Sequence, residues 1–392
     1  MRIALALGVA LHALIHVVGF LKWFRLADLP ALSGATLVRL TPATAKVYGA
    51  LWLVAFIVLL AAAVAIARRE PWWMLALAGA LLSQSLIVVA WSDAKFGSIA
   101  NLLILAALAF SAARARFDRR VDAEIRAMLS RESGATASVV QAEDLQHLPP
   151  PVRSWLQASG VVGRNAVHTV RLKQNGQLRT SPKGAWMPAR AEQYFTVGEP
   201  AFVWRVRTKM AGFLPIIGRD RYGSGSGHML IKAAALLSIV DECDEKIAQG
   251  AMLRFLGEIV WFPSAALSPY LEWELVDAHR SRATMRHKGV VASAVFTFDQ
   301  QGRVATMDAE RYLGGGAEAK LTPWSVVFME WQAIHGVQIP TRGDVRWHPP
   351  AGQFSYYRWQ IVDVEYDRAE PYREHEARAD GPDETPTLVT AR

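Results

Sequence analysis

Glu258 is the side chain in this sequence best suited to acid–base chemistry. It sits in the run LRFLGEIVWFPSAAL, between apolar turns and three residues before Trp261. A carboxylate desolvated in such a setting has a raised pKa, which suits a general acid. Arg254 lies four residues earlier and Arg311 lies on a later segment, so the competing expectation is an ion pair with one of these arginines. The other candidates are weaker. GSGSG at residues 223–227 has the glycines of a phosphate loop but lacks the Lys-Ser or Lys-Thr ending, and it reads as a flexible hairpin or bulge. His228 could pair with Asp241 or Asp244, yet no serine or cysteine stands in a nucleophile setting. Cys243 is enclosed by acids in DECDE, which blunt a thiol's reactivity. The sequence therefore predicts no catalytic residue, no metal centre and no cofactor.

The element that positions Glu258 is a helix at residues 246–261. Met252, Phe255, Leu256, Ile259 and Phe262 recur at a spacing of three and four, while Lys246, Gly250, Arg254 and Glu258 form one line on the opposite face. Pro263 cannot continue the helix and pushes the residue before it out of helical geometry, so the helix should stop near Trp261. On either side of it the chain reads as strand. In residues 202–209, Phe202, Trp204 and Val206 alternate with Arg205, Arg207 and Lys209, the period of a sheet with one dry face. The basic ladder is either a solvated face or a surface for anionic headgroups. Residues 167–175, 191–197, 271–277, 282–287, 290–298, 304–313, 343–347 and 354–366 fit the strand reading less strictly, with short turns at 287–289 and 299–303 implying antiparallel pairing.

The first third of the chain differs in kind. Of 43 basic and 35 acidic residues, twelve and four fall within the first 120, so the whole net charge of +8 lies there. Those basic residues flank apolar runs and are not clustered on a folded polar domain, which argues against a nucleic-acid partner. The runs are residues 3–21, 47–67, 72–90 and 99–113, and they predict four membrane spans, the last only if it extends back through Phe96 and Gly97. Trp23, Trp72, Trp73 and Trp91 fall at run ends, where indole rings prefer the headgroup level. Seven basic residues on one side of such a topology against five on the other put both the N-terminus and the large domain in the cytoplasm. His12, His16 and Gln84 are polar residues within the spans. They offer either a metal, proton or quinone site or, more simply, hydrogen bonds across a packed bundle, since two histidines without a third ligand are a weak metal signal. The single cysteine excludes an internal disulfide framework.

The predicted organisation is thus a four-span region at residues 1–113, a juxtamembrane helix and linker at 114–149, an α+β domain at 150–368, and a disordered tail at 369–392. Within the α+β domain, a curved antiparallel sheet, a half-barrel, covers one central amphipathic helix. Residues 253–267, the GRDRYGSGSGHM loop at 218–229, Arg311, Pro323, Trp324, Ile339, Pro340 and Trp347 together resemble an uncharacterised family of bacterial proteins of unknown function, found with or without membrane spans. The likeness covers residues 146–366, and WSDAKFGSIAN at 91–101 is similar to the membrane segment of the multi-pass members. In element order the domain resembles the half-barrels of LolA-type lipoprotein carriers and related lipid-binding proteins, and the resemblance carries over no catalytic residue.

Nine tryptophans beyond residue 150 suit either a filled core or a cavity for a greasy ligand with a polar head. The expectation is a non-catalytic domain, anchored in a bacterial inner membrane, that binds or presents a lipid or similar hydrophobic molecule. Trp204, Phe255, Trp261, Phe262 and Trp324 would line the apolar part, and Arg254, Glu258 and Arg311 would hold the polar end. The alternatives are an enzyme acting on a membrane-soluble substrate with Glu258 as acid or base, and an assembly or sensory protein whose spans bind a partner protein.

Overall fold

The computed structural model describes residues 2–132 and 138–372. It divides into two units, Met1–Ala115 and Arg116–Arg392. The expected tail lies outside the described residues from 373 onward; before that, Tyr372 is buried against Tyr194 and Arg171.

The first unit is helical: α1 (Arg2–Trp23), α2 (Pro42–Arg68), α3 (Trp73–Val89), a single turn α4 (Trp91–Ala94) and the start of α5 (Gly97–Leu129). Thr41 caps α2 by accepting from the Thr44 backbone, with Pro42 in the first turn where its missing N–H costs nothing. Small residues fill the interior, among them Ala13, Ala55, Ala62 and Ala76, while large apolar ones such as Ile3 and Leu11 are about two-thirds exposed, at 68% and 64%. Small inside and greasy outside is the pattern of helices whose surroundings are apolar.

Among the described residues three helices, not four, are long and apolar enough to cross a membrane: α1, α2 and α5. The expected third span falls short because Ala90 leaves helical geometry and the chain turns into α4, whose Asp93 accepts from the Ser33 and Gly34 backbones at 3.0 and 2.9 Å. What remains is a 17-residue helix. At 1.5 Å per residue it covers about 25 Å of a hydrocarbon core roughly 30 Å thick. The orientation drawn from an even number of spans therefore lapses.

In the second unit α5 continues, burying Phe117, Val121, Ile125, Met128 and Leu129. The stretch expected to be a linker contributes Val140, Leu145 and Leu148 to the core, ahead of α6 (Pro150–Ala158). Among the described residues thirteen antiparallel strands then form one curved sheet. These are β1 (Thr169–Leu178), β2 (Met187–Thr196), β3 (Ala201–Met210), β4 (Leu214–Gly223), β5 (Ser226–Ala233), β6 (Leu237–Glu242), β7 (Leu271–Asp277), β8 (Arg280–His287), β9 (Val290–Phe298), β10 (Val304–Leu313), β11 (Lys320–Ile334), β12 (Val337–Trp347) and β13 (Phe354–Tyr366). Their order is β6-β5-β4-β3-β2-β1-β13-β12-β11-β10-β9-β8-β7. Two meanders meet at the β1–β13 seam, and the chain must travel from one edge strand, β6, to the other, β7. Helix α7 (Glu245–Glu258) makes that passage, which is why it lies across the sheet and packs on β4, β5, β9 and β10. It ends in a 3-10 turn, Ile259–Trp261, ahead of Pro263.

Helix α7 starts at Asp244, which accepts from the Ile247 backbone at 2.8 Å. Its apolar face is fully buried with Phe195 and Phe296, each such side chain stabilising the fold by about 1.5–3 kcal/mol. GSGSG forms the β4–β5 hairpin, whose turn places Ser224 at φ +52 and Gly225 at φ +74.

Candidate functional site

A cavity of about 510 Å³ lies between α7 and the sheet. Lys246, Gly250, Arg254 and Glu258 all border it, so the polar line of the helix faces an internal space. The opposite wall is apolar and aromatic: Trp204, Val206, Ile216, Ile231, Trp324, Val326, Phe328, Trp347 and Trp359.

One end of the cavity is a closed polar clamp. Register places Gln193, Trp204 and Asp220 side by side across β2, β3 and β4 on the same face, directly beneath Arg254. Arg254 donates to Glu258 at 2.8 Å, Asp220 at 3.1 Å and Gln193 at 3.1 Å, and Gln193 donates to Glu258 at 2.6 Å. The guanidinium also stacks on Trp204, 4.5 Å from the ring centre. Burial pushes the Glu258 carboxyl above the usual range, against the pull of Arg254 and the Gln193 amide and with help from nearby Asp220.

The other end is built from the second meander. Arg311 on β10 lies over Trp324, 5.0 Å from its ring centre, and near Trp347 at 5.7 Å. Between Val345 and Arg346 the β12–β13 register shifts by one residue, so Tyr356 is a bulge and faces the cavity together with its neighbour Tyr357. The Tyr356 hydroxyl accepts from Arg311 Nη1 and from Trp324 Nε1, each at 3.1 Å. Gly250 leaves the space that Arg311 fills, since a Cβ there would lie 3.1 Å from Arg311 Nε.

Six of the eight expected ligand-facing residues, Trp204, Arg254, Glu258, Trp261, Arg311 and Trp324, border this one cavity. Phe255 and Phe262 do not. They are fully buried on the other side of α7, with Phe195 4.9 Å from Phe262 between ring centres. Sequence reasoning missed Gln193, Asp220 and Tyr356. The first two carried a readable signal, a polar residue in the inward phase of an apolar strand; the bulge at Tyr356 carried none.

The outer face of the same strands is also paired. Arg205 meets Asp122 at 2.7 Å and Glu192 at 2.6 Å, Arg207 meets Asp118 at 3.1 Å, and Arg219 meets Glu124 at 3.1 Å. The basic ladder is thus answered at Arg205 and Arg207 by acids of α5 and β2, while Lys209 is exposed. His228 bonds Asp241 at 2.7 Å, and Cys243 is exposed.

In the helical unit His12 bonds Asn101 at 2.9 Å, His16 bonds Ser83 at 2.8 Å, and Asn101 donates to Ser83 and to Gln84. That is hydrogen bonding across a bundle, and among the described residues no group of three metal-ligating side chains occurs.

A curved antiparallel half-barrel closed over one helix, with an aromatic cavity between them, defines the class of domain. Residues 138–359 match the family of unknown function DUF6544, and the chain belongs to that family. Comparison with curated proteins gives no match. Among solved structures, a LolA superfamily protein from Nitrosomonas europaea is similar at 10% identity and a TM-score of 0.33, over 55% of this chain and 92% of that one. A beta-barrel-like protein of the domain of unknown function DUF1849 from Brucella abortus is similar at 8% identity and a TM-score of 0.23, over 51% and 98%.

Proposed function

We propose that the β domain binds a hydrophobic small molecule, in the first instance a lipid, and that the apolar helices anchor the chain in a bacterial inner membrane. The observation that carries this reading is the 510 Å³ cavity walled by tryptophan and aliphatic side chains. Its size falls within the roughly 300–1,000 Å³ of ligand pockets, and its composition is apolar with a few convergent polar groups. The greasy exterior of the helical unit supports a bilayer as the source of the ligand.

A non-catalytic role fits the geometry of Glu258. Both of its oxygens are engaged, one by Arg254 and one by Gln193, which suits a structural clamp better than proton transfer to a substrate. The test is native mass spectrometry of the gently purified full chain, followed by organic extraction. A stoichiometric lipid or isoprenoid is the expected result. A protein of apo mass that also takes up no fluorescent fatty-acid probe overturns the reading and moves weight to an assembly or sensory role.

A further inference from the structure

Three features at the Arg311 end of the cavity remain unanswered by the protein. Arg311 has no carboxylate partner among the described residues, and its Nε is buried without any hydrogen-bond partner. Tyr356 receives two donors on its oxygen, so its own O–H is left to donate, and none of the described residues accepts from it. Both groups border the same cavity as the apolar wall. Arg311 is half-buried with its Nε shielded from solvent, so its charge is only partly hydrated, and an anion supplied by a ligand compensates it. The planar fork of arginine is also the side chain that matches carboxylate and phosphate oxygens best.

The acids bordering the cavity do not fill the role. Asp220 and Glu258 are held by Arg254, and Glu242 sits on edge strand β6 beside Gly315. Lys246 is turned to the carbonyls of Gly316, Ala317 and Ala319.

Building on the lipid-binding reading above, we propose that the ligand is an anionic amphiphile whose carboxylate or phosphate head is held by Arg311 and the Tyr356 hydroxyl. Its chain runs along Val206, Ile216, Ile231, Val326 and Phe328. Gly250 is part of this site, because a Cβ there would press on Arg311 Nε at 3.1 Å.

The test compares three probes of one chain length, the dibrominated forms of stearate, stearyl phosphate and stearyl alcohol, on the full chain held in nonionic amphipol. Bromine quenches the tryptophans that border the cavity, so binding is read directly. Both anions should bind at least about tenfold more tightly than the alcohol, the size of one hydrogen bond to a charged group. Arg311→Gln should abolish that preference and Gly250→Ala should narrow it. The stronger of the two anions distinguishes a carboxylate from a phosphate head.

Equal binding of acid, phosphate and alcohol by the native chain overturns the anion proposal and leaves the hydrophobic-ligand reading standing. Preference surviving in Arg311→Gln overturns the assignment of the head to Arg311. Absence of quenching by all three removes both readings. If Arg311→Gln does not fold, the native chain and Gly250→Ala decide the question alone.

Discussion

Two of the arginines that border the cavity, Arg254 and Arg311, have opposite surroundings. Arg254 reaches from the helix to the sheet and meets two carboxylates and an amide; Arg311 reaches from the sheet to the helix and meets a hydroxyl, two aromatic faces and a glycine. Residue type says nothing about this difference. What separates a structural cation from one free to meet a ligand is whether the protein itself supplies the counter-charge.

The comparison is most exposed at Arg254. Arg254→Ala strands Asp220, whose side chain is 3% exposed, together with Glu258, so the domain should lose about 3–5 kcal/mol in chemical denaturation followed by near-UV circular dichroism. A loss under about 1 kcal/mol would make the two arginines equivalent and end the contrast.

A middle-sized effect should come from pH. Burial holds the folded carboxyl of Glu258 above its ordinary value of 4.5, outweighing Arg254, so the folded state binds that proton more tightly than the unfolded chain. Its contribution is fully present below 4.5 and is lost as pH rises through the folded value. The melting temperature of the native chain should therefore fall relative to that of Glu258→Gln as pH is raised from below this value. A difference that stays flat across the range contradicts the clamp as described.

Arg311→Gln should have the smallest effect on the ligand-free protein, about 2 kcal/mol or less, the worth of its stacking on the buried rings of Trp324 and Trp347. A larger loss would mean that Arg311 is structural too.

Much of this was legible in the sequence. The polar line Lys246, Gly250, Arg254 and Glu258 follows from helical period alone, and alternation in β3 separates Trp204 from Arg205 correctly. Period fixes which residues share a face but not what that face meets, and so Phe255 and Phe262 were placed in the ligand wall when they belong to the core behind the helix. Strands β4, β5, β6 and β11 were harder to see. Gly218, Gly223 and Gly227 interrupt the β4–β5 pattern, and Pro323 interrupts β11. Of the juxtamembrane helix and linker expected at 114–149, the helical part coincides with α5, while in the linker part Val140, Leu145 and Leu148 are too sparse to show a period, yet each finds the core. The bulge at Tyr356 depends on the register of two strands, which no single segment encodes.

Strand β4 carries Arg219 and Asp220 as neighbours, one facing Glu124 and the other facing Arg254. Sliding β4 by a single residue against β3 would exchange them, setting guanidinium against guanidinium inside and carboxylate against carboxylate outside. The correct alignment is thus verified twice, by charges of opposite sign on opposite faces, and a misthreaded sheet is rejected on both sides at the same step. In the meander β1–β6, where each hairpin inherits the register of the one before it, such a parity check limits how far a mistake can travel.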